Sequence, residues 1–105
     1  VGRDEFDGFE WDKEKSDLTL QIRGISFEFA ARVFDGAYIE YEDRRRPYGE
    51  QRFVATGEVD GFTLTVVWTP RPPNRRIIAA WPANQRETRT FNGYRQAHKP
   101  AGSRE

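Results

Sequence analysis

The feature that most constrains how this chain folds is Asp60-Gly61, set between residues 52–58 and 62–68, two runs rich in apolar and β-branched residues. A two-residue β-turn that matches strand twist needs positive φ at both central positions, and Asp-Gly is among the sequences that accept it most easily. The chain is therefore committed to an antiparallel strand pair. In the second strand Phe62, Leu64, Val66 and Trp68 fall on one face, since successive strand residues point to opposite sides. Residues 38–42 alternate in the same way, and the apolar run 77–81, preceded by Arg75 and Arg76, reads as a further strand. Pro82, which has no N–H to give to a ladder, is expected to end it. Between these strands, residues 69–74 carry three prolines and are expected to form a stiff loop outside the sheet.

Helix signals flank this meander. Phe9-Glu10-Trp11-Asp12 reads as a short strand, after which Asp12 is placed to cap a helix running to Arg23, with Gly24 where a left-handed terminating residue belongs. Leu18, Ile22 and Ile25, spaced i, i+4, i+7, are expected to be its inward stripe. Ser26 caps a second helix whose stripe is Phe27, Ala30, Ala31 and Phe34, ended by Asp35-Gly36. Asn84 with Glu87 three positions on forms a capping-box signature for a third helix from Gln85, which Asn92-Gly93 should weaken. The fold class is α+β, with two N-terminal helices on a four-stranded, mainly antiparallel sheet and a C-terminal helix. Residues 1–8 and 98–105 are expected to be loose, leaving 9–97 as one domain.

Fifteen aromatics must supply much of the core of a 105-residue chain that has no Met and comparatively few aliphatic residues. The absence of Cys excludes disulfides and thiolate chemistry and suits a reducing compartment, so a cytoplasmic protein without a membrane segment is expected. His98 is the only His, and the acidic clusters lack calcium-loop spacing; neither a metal site nor another cofactor is expected. The zero formal charge hides a division: residues 1–70 hold nine Lys/Arg against fifteen Asp/Glu, and residues 71–105 hold eight against two. An anionic partner for the basic part and internal neutralisation explain this equally well.

Arginine is what remains to carry chemistry. Arg71, Arg75, Arg76, Arg86 and Arg89 cluster around one strand and the helix after it, and Arg44, Arg45, Arg46 and Arg52 come from the neighbouring strand pair. The planar guanidinium fork suits phosphate oxygens, and Trp68, Trp81 and Tyr48 are aromatic platforms on which unpaired bases could stack. Together they make a credible surface for single-stranded RNA.

The order and spacing of several short pieces resemble the BrnT family of bacterial type II toxins, which are similar in fold to RelE-type ribonucleases. The pieces are Phe9-Glu10-Trp11-Asp12, Lys15, Gly24 with Ser26-Phe27-Glu28, Val33-Phe34-Asp35, Asp43-Arg44-Arg45, Gly49-Glu50-Gln51-Arg52, Gly57, Thr69 with Arg71, and residues 76–87. Members commonly carry Ser and Arg where this chain has Ala79 and Trp81, and Lys-His where it has Ile22-Arg23. The resemblance implies a metal-independent endoribonuclease that inhibits growth until a BrnA-like, ribbon-helix-helix antitoxin neutralises it, with DNA contacted only through that antitoxin. The alternative is a catalytically degenerate member that binds RNA or antitoxin without cleaving.

Metal-free cleavage requires a base for the 2′-hydroxyl, a proton for the leaving oxygen and stabilisation of the phosphorane. On this reading Arg76, Arg52 and Arg71 are phosphate clamps, and Glu50, Glu87 or Asp43 is the base. Arg75, Arg86, Arg89, Arg44, Arg45 and Trp81 line the RNA path. A capping-box Glu already has a structural task, which weighs against Glu87.

Overall fold

The computed structural model describes residues 6–98. Its elements are β1 (Gly8–Trp11), α1 (Lys13–Arg23), α2 (Phe27–Ala31) continued by a 3-10 turn (Arg32–Asp35), β2 (Tyr38–Glu42), β3 (Phe53–Val59), β4 (Phe62–Arg71), β5 (Asn74–Pro82) and α3 (Gln85–Ala97). The strands form one sheet in the order β1-β5-β4-β3-β2. The α+β class holds, with a correction: the sheet has five strands, because β1 adds to the outer edge of β5 in parallel, from Gly8 opposite Asn74 to Trp11 opposite Ile77. No local pattern announces a pairing between segments so far apart in the chain.

The Asp60-Gly61 turn forms as its sequence dictates, with φ of 52° and 87°. The expected proline loop does not. β4 continues through Thr69, Pro70 and Arg71, and a two-residue turn at Pro72-Pro73 leads straight into β5, with Arg71 opposite Asn74. Proline forbids only its own N–H bond, so a strand can pass through Pro70 where no bond is asked of that nitrogen. Pro82, by contrast, ends β5 as expected, standing as its last residue.

α2 and its 3-10 continuation cover one face of the sheet, and α1 lies beside α2 at the edge of β5. Asp12 Oδ1 accepts from the Glu14 and Lys15 amides, and Gly24 closes α1 at φ 80°. The Ser16 hydroxyl, buried, accepts from the Phe27 amide and fastens α1 to α2. The core beneath α2 comprises Phe27, Ala30, Val33, Ala55, Leu64, Val66, Ile77 and Ala80. Val33 and Tyr38 press so closely on Gly57 that a Cβ there would meet Val33 Cγ1 and Ala37 O at 3.0 Å. Phe34 lies in the 3-10 turn and is half-buried, less than its place in the stripe suggests, though its ring meets Phe9, Tyr38 and Trp68.

Two expectations about burial are reversed. In α1 only Ser16 is buried, while Leu18, Leu20 and Ile22 are half or more exposed; of the expected stripe only Ile25, just past the helix, is buried as expected. The helix lies along the edge of β5 beyond the end of β1, where Arg23 Nη1 donates to Ala80 O and satisfies an edge carbonyl. Conversely Phe6, in the stretch expected to be loose, is buried against the edge of Trp68. α3 packs on the opposite face, over β2 and β3, and persists through Asn92-Gly93 to Ala97. Of the expected C-terminal tail, His98 closes α3, and residues 99–105 lie outside the described residues.

Candidate functional site

The face of the sheet away from α1 and α2 is built from residues that alternate with the core. On β4 these are Thr63, Thr65, Val67, Thr69 and Arg71. On β5 the register slips between Val67 and Trp68: Val67 stands opposite Ala79, but Trp68 stands opposite Ile77, so Ile78 is a bulge. One extra residue inverts which side the strand's earlier half presents. Without it Arg76 would share a side with Ala80 and point into the core. With it Arg76 stands on the same side as Ala79 and Trp81, and Arg75 is turned inward.

The consequence is a row of polar side chains across the open face. Glu10 stands opposite Arg76, Arg76 opposite Thr69, and Arg52, one step before the Phe53–Trp68 pair, next to Thr69. Asp43 follows, its amide donating to Arg52 O at 2.7 Å. Glu10 accepts from Arg76 Nη1 at 3.0 Å and Asn74 Nδ2 at 3.1 Å. These hydrogen bonds, Asn74's first and then Arg76's, lower the Glu10 pKa. Glu50 Oε2 accepts from Arg52 Nε at 3.2 Å, and its Oε1 lies 3.6 Å from Arg71 Nη2. Arg52 also lies over the Tyr48 ring, 4.2 Å from the centroid. Arg52, Arg71, Arg76 and Glu50, separated by up to 26 positions in the chain, are thus gathered at one end of one face.

Other expected site residues are placed differently. Arg75 is 7% exposed and caged by Phe6, Phe34 and Trp68, with its guanidinium carbon 4.4–5.1 Å from the ring centroids. Its Nη2 reaches the Tyr38 hydroxyl at 3.4 Å, while its buried Nε has no hydrogen-bond partner. A guanidinium held in this way is a core element, and RNA cannot reach it without dismantling the cage. Trp68, expected as a stacking platform, is 1% exposed and is likewise core. Its Nε1 donates to Glu40 Oε1 at 2.8 Å. Glu40 as a residue is exposed, but its carboxyl end turns down onto the indole. That burial raises its pKa, against the lowering effects of the Trp68 hydrogen bond and the Arg75 charge.

Asp43 is unsuited to the role of base. Arg45 grips both its oxygens at 2.9 Å, the Arg45 amide and Tyr48 hydroxyl add further bonds, and its pKa is driven far below the usual carboxylate range, mainly by the Arg45 side chain. Arg45 is consequently committed to Asp43, and Arg44 to Glu42 at 2.8 Å, so both are paired at the surface. Glu87 fulfils the capping box with Asn84. Its Oε1 accepts from the Asn84 amide, the Thr65 hydroxyl and Trp81 Nε1, at 2.9, 3.0 and 3.2 Å. One oxygen with three donors leaves Glu87 holding α3 to the sheet.

Trp81 is half-buried beneath this junction, with Arg23 5.8 Å from its ring. Arg86 and Arg89 are exposed on α3, and neither has an ion pair among the described residues. The two positions where the chain departs from its resemblance in the central strand, Ala79 and Trp81, both lie on the open face. Glu10 was missed by sequence reasoning; only the β1–β5 pairing brings it to Arg76, and that pairing has no local signature. Among the described residues no three His, Cys, Asp or Glu side chains converge as metal ligands would, and no helix is long and apolar enough to cross a membrane.

Comparison with known proteins adds what geometry cannot. No curated protein gives a significant match. The model of the family described as the ribonuclease toxin BrnT of type II toxin-antitoxin systems matches residues 11–87, from the end of β1 to the capping Glu87, and so spans the bulge and the arginine row. The chain belongs to the BrnT family of ribonuclease toxins of type II toxin-antitoxin systems.

Proposed function

We propose that the open face is the cleavage site of a metal-independent endoribonuclease in which Arg76, Arg52 and Arg71 hold the scissile phosphate and Glu50 handles the proton. The observation that carries this is the convergence of three guanidiniums and one carboxylate on one end of a sheet face. Each arginine is part-exposed and presents N–H donors beyond those its acidic neighbours use, so a phosphate can exchange for Glu10 or Glu50 without leaving a buried charge.

In the step proposed, Glu50 takes the proton of the 2′-hydroxyl as its oxygen attacks phosphorus. The arginines stabilise the added charge of the phosphorane, and the bond to the 5′-oxygen breaks. The proton held by Glu50 is then the one the leaving oxygen needs. The products are a 2′,3′-cyclic phosphate and a 5′-hydroxyl, and no other reactant enters.

The reading includes the partner: an antitoxin of the ribbon-helix-helix type that covers this face and blocks RNA. Purified chain, incubated with single-stranded RNA and a chelator, should produce cyclic-phosphate ends, and the product of an adjacent antitoxin gene should suppress them. RNA that is retained on the protein but never cut would favour the degenerate binder instead.

A further inference from the structure

Beside the arginine row, on the same face, is a cleft of about 410 Å³ between β2, β3 and the first turns of α3. Its lining includes Tyr41, Val54, Thr56, Asn84, Arg86 and Glu87. Tyr41 is 61% exposed and pairs across the sheet with Val54; Arg52, Val54 and Thr56 alternate along one side of the same strand. At the usual rise per residue, Val54 lies about 7 Å beyond Arg52. A chain with a phosphate on the arginine row can therefore set its neighbouring base in the cleft.

The polar edge of the cleft is uncommitted on the side that matters. Glu87 Oε1 carries all three donors that tie α3 to the sheet, whereas Oε2 receives no hydrogen bond among the described residues. Asn84 Oδ1 accepts from the Glu87 amide, so its Nδ2 remains to donate. Arg86 has no acidic partner among the described residues. The lining of the cleft thus combines a carboxylate acceptor, two side chains with N–H groups to give, the apolar Val54 and the Tyr41 ring, the groups by which unstacked bases are held and read.

Resting on the ribonuclease reading, we propose that this cleft is a nucleobase subsite that selects, next to the scissile phosphate, a base carrying an exocyclic amine. The amine donates to Glu87 Oε2, ring acceptors take Arg86 and Asn84 N–H groups, and Tyr41 stacks on the ring. Uracil offers that carboxylate a single N–H between two carbonyls, which repel it. Well-formed edge contacts of this kind discriminate by roughly 10-fold or more.

Binding of short, uncleavable 2′-deoxy homopolymers of adenine, cytosine and uracil tests the subsite apart from catalysis. The parent should bind the adenine and cytosine oligomers roughly 10-fold tighter than the uracil one. Glu87→Gln keeps an oxygen for the capping box but puts an amide donor in place of Oε2, so the ranking should collapse or invert in a protein that stays folded at the assay temperature, with only a small fall in melting temperature from the lost charge. Tyr41→Ala should weaken all three oligomers together, because stacking is sequence-tolerant. Arg76→Ala should lower affinity through the phosphate and leave the ranking intact. Equal affinity for the three oligomers, or a ranking that survives Glu87→Gln, overturns the subsite even if the parent cleaves RNA. A ranking of this kind in a protein that cuts no RNA would sustain the subsite and reject the cleavage reading.

Discussion

On the helix-covered side of the sheet Arg75 is enclosed by three aromatic rings, while on the open side Arg76 meets Glu10 at 3.0 Å with about a third of its side chain exposed. The two are consecutive and chemically identical. Strand alternation separates them, and the Ile78 bulge decides which goes where. The covered side uses its guanidinium as packing, balanced by ring faces and the Tyr38 hydroxyl. The open side keeps three guanidiniums in part-exposed pairs with Glu10 and Glu50. Residue type therefore says little about role here; the face of the sheet says most of it. Variants of the covered side should register in stability, and those of the open side in cleavage.

The largest effect is expected from Glu50→Gln, which removes the proposed base while leaving an acceptor for Arg52. Cleavage should fall by about 100- to 10,000-fold in single-turnover assays at an unaltered melting temperature. Persistence of the parent rate would move the base elsewhere on the face.

Phe34→Ala should act on the other side, costing about 3 kcal/mol in urea titration, the lower end for a Phe deletion because the ring is half-buried. It also opens the Arg75 cage. A change under about 1 kcal/mol would mean that the aromatic cluster contributes little to stability.

Arg75 allows a sharper separation. Arg75→Ala should destabilise by about 2 kcal/mol as the ring contacts are lost. Arg75→Met, which fills the same space without a charge or an unpartnered Nε, should be close to neutral, within about 1 kcal/mol. If Arg75→Met cleaved no RNA while folding normally, the division between the two faces would fail.

The smallest effect is in acid. Asp43 and Glu10 have folded pKa values below their ordinary ones, so the stability they confer is complete above about pH 5 and is lost as pH falls through the ordinary and then the folded values. Asp43→Asn should flatten this loss in urea titrations between about pH 4 and 2. Glu40 runs the other way: its raised pKa costs stability as pH rises through the range between the unfolded and folded values, so Glu40→Gln should ease that cost.

The elements that were legible in the sequence are those fixed by neighbours in the chain. The Asp60-Gly61 turn, the Asp12 and Ser26 caps and the Asn84–Glu87 box all depend on residues within a few positions. Arg76, Arg52, Arg71 and Glu50 could be named as candidates because Arg and Glu suit phosphate and proton chemistry. Arg52, Arg71 and Glu50 are brought together by the β3–β4 pairing, but the place of Arg76 beside them rests on the Ile78 bulge, which no residue type at that position announces. Periodicity misled in α1, where Leu18 and Ile22 have helical spacing but face outward, because the helix runs along a strand edge instead of lying flat on the sheet. The proline-rich stretch misled for the opposite reason: ladder pairing on one side of β4 carries Pro70 with it.

The most direct test of the account is cleavage by Arg76→Ala set beside its own melting curve. The account predicts that cleavage of single-stranded RNA falls by about 100- to 1000-fold, as for loss of a preorganised donor, with the melting temperature essentially that of the parent, since only a part-exposed ion pair is lost. Undiminished cleavage by a folded Arg76→Ala protein would contradict it.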